Sequence, residues 1–188
     1  MDRLRLAGTA IVALIGLSIL GEQLLRPEAS VRPVHVAQTA RPLAAAIAGG
    51  LLIPVDGVQR AALRDSFAAQ RKGHIHAAID ILAPRGTPVR SATDGIVTKL
   101  RVSSLGGLTV YIHDDAGVEY YYAHLDHYDA FLHEGMRVHR GEVIAYVGTT
   151  GNAPPQTPHL HFAIEQNGSA VDPYPLLMGE RQTLSLLR

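Results

Sequence analysis

The chain has 188 residues, of which 47% are hydrophobic, and this is enough apolar material for one ordinary folded core. It carries 17 basic and 17 acidic residues, so its net charge is zero and a nucleic-acid partner is not expected. Cysteine is absent, which excludes disulfide bonds and thiolate metal ligands. Any metal site must therefore use histidine, aspartate or glutamate.

Residues 1–25 predict a transmembrane anchor or a signal peptide. Arg3 and Arg5 precede an uncharged apolar stretch, residues 6–21, whose helix would span roughly 24 Å against about 30 Å for the hydrocarbon core of a bilayer. The small residues that a signal peptidase requires are poorly supplied, so we favour an uncleaved anchor over a cleaved signal. A buried core helix is the remaining alternative.

The rest of the chain divides into a linker, a domain and a tail. Residues 26–48 are rich in proline, alanine and arginine, which predicts a linker. We place the folded domain at 49–178 and a C-terminal tail at 179–188. Within the domain, turn residues separate short runs rich in β-branched and aromatic residues, which predicts a mainly β fold, a small antiparallel sheet or sandwich. We expect strands at 95–98, 108–112, 118–122 and 142–147, and a short helix at 61–70.

Histidines recur in this domain at spacings that suit a metal site. His159 and His161 are two apart, so a strand would direct both imidazoles into one cleft. His76 and Asp80 would lie about 13 Å apart in an extended strand, too far to share an ion with bonds of about 2 Å. If both are ligands, the chain must turn between them. His74 is a competing ligand, because it would share a strand face with His76.

His124 follows three tyrosines and is expected near a strand end, where its side chain can reach over a groove. A single histidine there is most often a surface residue. The presence of three histidine clusters in one small β domain favours a shared site instead. Together they offer more imidazoles than a catalytic zinc ion ligates, since such an ion takes three protein ligands and keeps one position open.

The order His-x-x-x-Asp, Tyr-x-His-Leu and His-x-His resembles that of the lysostaphin-type zinc metallopeptidases, which cleave peptide bonds in bacterial peptidoglycan. The similarity covers roughly residues 51–177. It implies a β-sheet groove with hairpins, and one Zn²⁺ ion held by His76, Asp80 and His161. It also implies that His124 and His159 act on the substrate. One departure is Ala78, where the family usually has glycine; a positive φ there would cost about 1 kcal/mol.

No glutamate accompanies the histidines as it does in a helical His-Glu-x-x-His enzyme. We therefore assign His159 as the general base and His124 as the donor that stabilises the oxyanion, with an exchange of these roles left open. Tyr122 and Asn152 are candidates for substrate contact, although a packing role for Tyr122 and a plain exposed loop around Asn152 are alternatives.

The resemblance, together with the filled set of site residues, leads to the hypothesis of a zinc-dependent metalloendopeptidase, and the resemblance implies stem peptides or cross-links of peptidoglycan as its substrate. The enzyme would act on the periplasmic side of the cytoplasmic membrane, anchored to it or secreted after signal cleavage. The alternative is a non-catalytic regulator of another cell-wall hydrolase, with a wall or division protein as its partner. A lipoyl or biotinyl carrier is a third interpretation, based on the hairpin-like segment 141–148. Carriers need a lysine on an exposed turn; Lys72 and Lys99 are the only lysines, and Lys99 directly continues the run 95–98 within an apparent strand.

Overall fold

The computed structural model describes residues 51–71 and 73–179. The predicted membrane segment and linker, and residues 180–188 of the predicted tail, lie outside this part of the chain. Within it, no helix has both the length and the apolar character needed to cross a membrane.

The described residues form a mainly β structure, in which nine strands make one sheet and two short strands make a separate hairpin. In chain order the strands are β1 (Gln70–Arg71), β2 (His74–Ile75), β3 (Ile79–Leu82), β4 (Pro88–Arg90), β5 (Gly95–Ser103), β6 (Gly107–His113), β7 (Glu119–Tyr128), β8 (Arg137–Val138), β9 (Val143–Val147), β10 (His159–Gln166) and β11 (Ser169–Val171). One α-helix, α1 (Pro173–Met178), follows.

Every strand pairing in the large sheet is antiparallel, as predicted. Its main path runs β11-β10-β7-β6-β5-β8, with β3 added beside β10 and with β9 pairing both β4 and β7. The four predicted runs correspond to β5, β6, β7 and β9. Strand β10 is the one that matters most for the site, because both β3 and β7 pair with it around His161.

The core lies on one face of this central region. Along β10, Leu160, Phe162 and Ile164 are buried, and Tyr122 of β7 packs on Phe162 with ring centroids 5.2 Å apart. Burial of a large apolar side chain stabilises the fold by about 1.5–3 kcal/mol. Because alternate residues of a strand point to opposite faces, His161 lies on the other face, which is open to solvent.

The short helix predicted at 61–70 is wrong. The structure has a single 3-10 turn at Arg60–Ala62, and Leu63 is already extended at φ −65° and ψ 146°. Leu63 is buried in the core, and the Asp65 carboxylate accepts a hydrogen bond from the Phe67 N–H at 3.1 Å. Such local side-chain bonds offer the backbone an alternative to a helix.

Helix α1 falls outside the predicted elements, although its sequence signals are complete. The Asp172 carboxylate accepts a hydrogen bond from the Tyr174 N–H, proline occupies the first position, and Gly179 closes the helix at φ +77°. These are the residues that favour helix termini, but the helix is six residues long.

Substitution of Tyr122 provides a direct test of packing and hydrogen bonding in the core. Tyr122 is completely buried, and its hydroxyl oxygen accepts a hydrogen bond from the Ala92 N–H at 3.0 Å. Tyr122→Phe leaves that buried amide without its acceptor, so we expect the free energy of unfolding to fall by about 1–3 kcal/mol in urea denaturation. The control is Tyr146→Phe, at a ring that stacks on His127, where we expect a change within about 0.5 kcal/mol. Equal losses in both variants would contradict this assignment.

Candidate metal centre

Three side chains from distant parts of the chain bring one donor atom each to a common point. His76 Nε2 lies 3.0 Å from Asp80 Oδ1 and 3.0 Å from His161 Nδ1, and the last two atoms are 3.1 Å apart. In a tetrahedral zinc site with bonds of 2.0–2.1 Å, ligand atoms lie roughly 3.3 Å apart. The triangle therefore fits zinc with little adjustment. In residues 51–71 and 73–179 this is the one group with such a geometry.

Strand register brings Asp80 and His161 together. The two residues are direct partners in the antiparallel pairing of β3 with β10. Opposite residues in such a pair have Cβ atoms about 4.5–5.5 Å apart and project from the same face. The carboxylate and the imidazole therefore meet without any special loop.

His76 reaches the same point through a turn between β2 and β3. Ala77 adopts the left-handed conformation at φ +55°, which brings His76 Nε2 to Asp80 Oδ1. For an alanine this conformation costs roughly 1–2 kcal/mol. The positive φ falls at Ala77 and not at Ala78, which is completely buried. The glycine-to-alanine departure at Ala78 therefore causes no strain of this kind.

Residues behind the donors hold them in place. The His76 Nδ1–H donates to the Ser66 carbonyl at 3.0 Å, and the Asp80 N–H donates to the Ser66 hydroxyl at 3.2 Å. The first bond fixes the tautomer that leaves Nε2 free for a metal. Asp80 Oδ2 accepts a hydrogen bond from Arg71 Nη2 at 2.8 Å. Sequence reasoning missed Ser66 and Arg71, since neither belongs to a histidine motif.

Two further imidazoles flank the donor triangle. The His124 Nδ1–H donates to the Thr150 carbonyl at 2.9 Å, and the His159 Nδ1–H donates to the Thr157 carbonyl at 2.7 Å. Their ring centroids are 5.0 Å apart, and His159 Nε2 lies 3.8 Å from Asp80 Oδ1. With Nδ1 protonated, each neutral ring carries a lone pair on Nε2, which is the atom able to accept a proton.

A β-bulge directs His124 into the cleft. Simple alternation would place it on the core face, because Tyr122 two residues earlier is buried there. However, Leu108 pairs with Leu125 while Val110 pairs with Tyr122, so β7 has one residue more than β6 in this interval. His124 adopts φ +61° at this point. The bulge turns the His124 side chain from the core face of the sheet to the cleft face, and bulges near functional sites commonly redirect a side chain in this way.

The two residues predicted to contact substrate have different positions. Asn152 lines the cleft that contains the donors, which has a volume of about 660 Å³. Tyr122 does not, because it lies on the core face of β7. Its expected substrate contact is therefore corrected. The preceding residue, Tyr121, lines the cleft and stands edge-on to His161 with ring centroids 6.0 Å apart. His74 also lines the cleft but does not belong to the donor group.

The site controls the charge of its carboxylate and of one histidine. Burial opposes ionisation of Asp80, but the adjacent imidazoles of His161 and His76 favour the charged carboxylate and hold the pKa of the carboxyl far below its ordinary value. Burial lowers the pKa of His124, although the bond to the Thr150 carbonyl opposes this. Asp80 is therefore anionic and His124 neutral near pH 7, the states that suit a metal ligand and a proton acceptor.

Three donors and two unligated imidazoles in one cleft have the form of a metal-dependent hydrolase site. Comparison with known proteins agrees. Residues 74–173, just over half of the chain, match the family model described as peptidase family M23. The chain belongs to this family, which confirms the resemblance to lysostaphin-type peptidases.

Curated relatives carry peptidase names. The DD-carboxypeptidase/endopeptidase Mpg of Neisseria meningitidis is 43% identical over 100 residues, which cover 53% of this chain and 22% of that protein. The L-Ala–D-Glu endopeptidase of Bacillus subtilis is 37% identical over 112 residues, which cover 55% of this chain and 34% of that protein. The matches thus span between about a fifth and a third of these relatives.

Solved structures share the fold. The catalytic domain of lysostaphin from Staphylococcus simulans superposes with a TM-score of 0.51 at 30% identity, covering 57% of this chain and 82% of that one. LytU superposes with a TM-score of 0.55 at 34% identity, covering 64% of this chain and 86% of that one.

The donor triangle distinguishes His76 from His74 as the ligand. Loss of outer-shell partners commonly weakens metal binding 10–100-fold, so loss of a ligand is expected to weaken it by more than about 100-fold. We expect His76→Ala to lose zinc to this extent and His74→Ala to retain it, as measured by elemental analysis and competition with a chelator. Zinc loss in His74→Ala alone would instead identify His74 as the ligand.

Proposed function

We propose that the protein is a zinc-dependent metalloendopeptidase that hydrolyses peptide bonds in bacterial peptidoglycan. The observation that carries the proposal is the complete site: three donor atoms 3.0–3.1 Å apart, with two unligated imidazoles beside them. Membership of peptidase family M23 supports the reaction class. Relatives named as DD-endopeptidase and L-Ala–D-Glu endopeptidase support stem peptides or cross-links as the substrate.

His76, Asp80 and His161 are the residues that would hold the ion. When bound, zinc supplies a Lewis acid that polarises the scissile carbonyl and lowers the pKa of the attacking water. Two imidazole nitrogens and one carboxylate oxygen suit zinc, which accepts nitrogen and oxygen ligands together. Asp80 brings the one negative charge of the set.

His159 is the proposed general base. Its Nδ1–H is held by the Thr157 carbonyl, and its Nε2 is 3.8 Å from Asp80 Oδ1, beside the donor triangle. A base must lie within reach of the proton that it removes, directly or through one water. His159 Nε2 would meet this requirement for a water that attacks beside the three donors.

His124 is proposed to stabilise the oxyanion that develops as the carbonyl is attacked. Its Nδ1–H is held by the Thr150 carbonyl, so Nε2 has a proton to donate only when the ring is protonated. The lowered pKa keeps Nε2 unprotonated in the resting site. The proton that His124 would donate therefore comes from the attacking water by way of His159, whose ring centroid is 5.0 Å from that of His124, and it would leave with the departing amine.

Residues from several segments line the cleft in which an extended peptide would lie. Arg71 and His74 of the β1–β2 hairpin line one part, and the segments 105–106 and 152–157 contribute Leu105, Asn152 and Thr157. Leu105 is 68% exposed and Leu82 is 62% exposed, although both are apolar and line the same cleft. Exposed apolar residues at a cleft suit the methyl groups of alanine residues in stem peptides.

We propose an extracytoplasmic location, because the proposed substrate lies outside the cytoplasmic membrane. Residues 1–25 would then act as the anchor or the signal peptide. A non-catalytic regulator of another wall hydrolase has no support in the site. The three metal donors and the two flanking histidines that the family resemblance implies are all present.

Purified sacculi provide the test of the reaction. We expect the zinc-loaded protein to release muropeptides that mass spectrometry identifies by the bond cleaved. A chelator should stop release and added zinc should restore it, while His161→Ala should be inactive under both conditions. Binding to sacculi without release by the wild type would contradict the enzyme and favour the regulator.

Substitution of the two flanking histidines is expected to lower kcat without loss of bound zinc. His124→Ala and His159→Ala remove proton handling but no ligand, so we expect each to keep one equivalent of zinc while kcat falls by about 10²–10⁴-fold. Elemental analysis and muropeptide release rates measure the two effects. Zinc loss parallel to the activity loss would show that these histidines act as ligands.

A further inference from the structure

The two oxygens of the Asp80 carboxylate have different partners. Oδ1 faces the donor triangle, 3.0 Å from His76 Nε2 and 3.1 Å from His161 Nδ1. Oδ2 accepts a hydrogen bond from Arg71 Nη2 at 2.8 Å. We propose that Arg71 is a positioning residue that limits Asp80 to one-oxygen coordination of the metal, and so keeps a coordination position open for substrate and water. This inference rests on the proposed zinc site.

The hairpin that carries Arg71 also delivers His76. Arg71 pairs with His74 across β1 and β2, and the His76 N–H donates to the Ala69 carbonyl at 2.8 Å, extending the hairpin pattern by one step. The Ala77 N–H donates to the Phe67 carbonyl at 2.9 Å. Arg71 and His76 thus belong to one hydrogen-bonded unit. The same hairpin therefore positions the guanidinium against Asp80 Oδ2 and His76 Nε2 against Asp80 Oδ1.

A carboxylate can use one oxygen or both on a divalent cation. For a catalytic zinc ion with three protein ligands, a second oxygen from Asp80 would occupy the position that the reaction requires. A charge-assisted hydrogen bond is roughly twice as strong as a neutral one, so the Arg71 guanidinium holds Oδ2 firmly. It binds Oδ2 while both histidines lie against Oδ1, so the two oxygens are assigned to different partners.

Fold stability does not explain this ion pair. The Arg71 side chain is 45% exposed and the Asp80 side chain 23%, and an ion pair whose cation is this open to solvent contributes little to folding. Arg137 and Asp115 form an ion pair elsewhere, with 3.0 Å between Nη2 and Oδ1; the arginine is similarly exposed at 50%, while Asp115 is 76% exposed against 23% for Asp80. Neither Arg137 nor Asp115 lines the cleft. This pair provides a control for the general effect of removing a surface arginine.

Cobalt substitution of the purified full-length protein reports the coordination number directly, because four-coordinate Co²⁺ absorbs visible light more intensely than five-coordinate Co²⁺. We expect Arg71→Ala to weaken the visible band of the cobalt protein, and to lower kcat for muropeptide release by roughly 10–100-fold at saturating zinc. Arg71→Lys retains a cation and should recover part of both signals. Arg71→Gln, which lacks the charge, should not. Arg137→Ala should match the wild type.

The outcomes separate this inference from the proposed function. A wild type without bound metal or turnover would overturn both. A wild type that binds cobalt and cleaves peptidoglycan, together with an Arg71→Ala variant of unchanged spectrum and unchanged kcat, would overturn the role of Arg71 alone. The same spectral change in Arg137→Ala would also overturn it. Circular dichroism of each variant shows whether it is folded. If Arg71→Ala is not folded, the spectra and kcat values of Arg71→Lys and Arg71→Gln are compared instead.

Discussion

The pairing of β10 with β3 is the constraint on which the site depends. It places Asp80 opposite His161, and a shift of one residue would send one of these side chains into the core. The buried side chains of β10 oppose such a shift, because Leu160, Phe162 and Ile164 would all leave the core together. Packing on one face of the sheet therefore maintains the metal geometry on the other.

The site joins regular and irregular structure. Asp80, His159 and His161 lie on strands with regular backbone, whereas His76 and His124 reach the cleft through left-handed backbone, at Ala77 in a turn and at His124 in the bulge of β7. Positive φ values in residues other than glycine carry a free-energy cost and are concentrated at functional sites. Asn167, between β10 and β11, is the third such residue in the described part of the chain, whereas Ala77 and His124 each change the direction of one histidine of the site.

Much of the architecture was accessible from the sequence, because β-branched and aromatic runs between turn residues are a local signal. The shared facing of His159 and His161 followed from strand periodicity, but the ligand set depended on the family resemblance, since spacing alone left His74 and His76 in competition. The facing of Tyr121 and Tyr122 was not accessible, because it depends on how β7 pairs with its neighbours. Ser66 and Arg71 act through tertiary hydrogen bonds, which leave no pattern in the chain.

The hairpin of β1 and β2 lies outside the nine-stranded sheet, yet it presents His76 to two residues of that sheet. An ion held by all three would cross-link two separately hydrogen-bonded parts of the chain. Any ligand that binds only the ordered arrangement stabilises it in proportion to its free concentration. Zinc availability would thus govern the local opening of this hairpin, and with it the shape of one wall of the cleft.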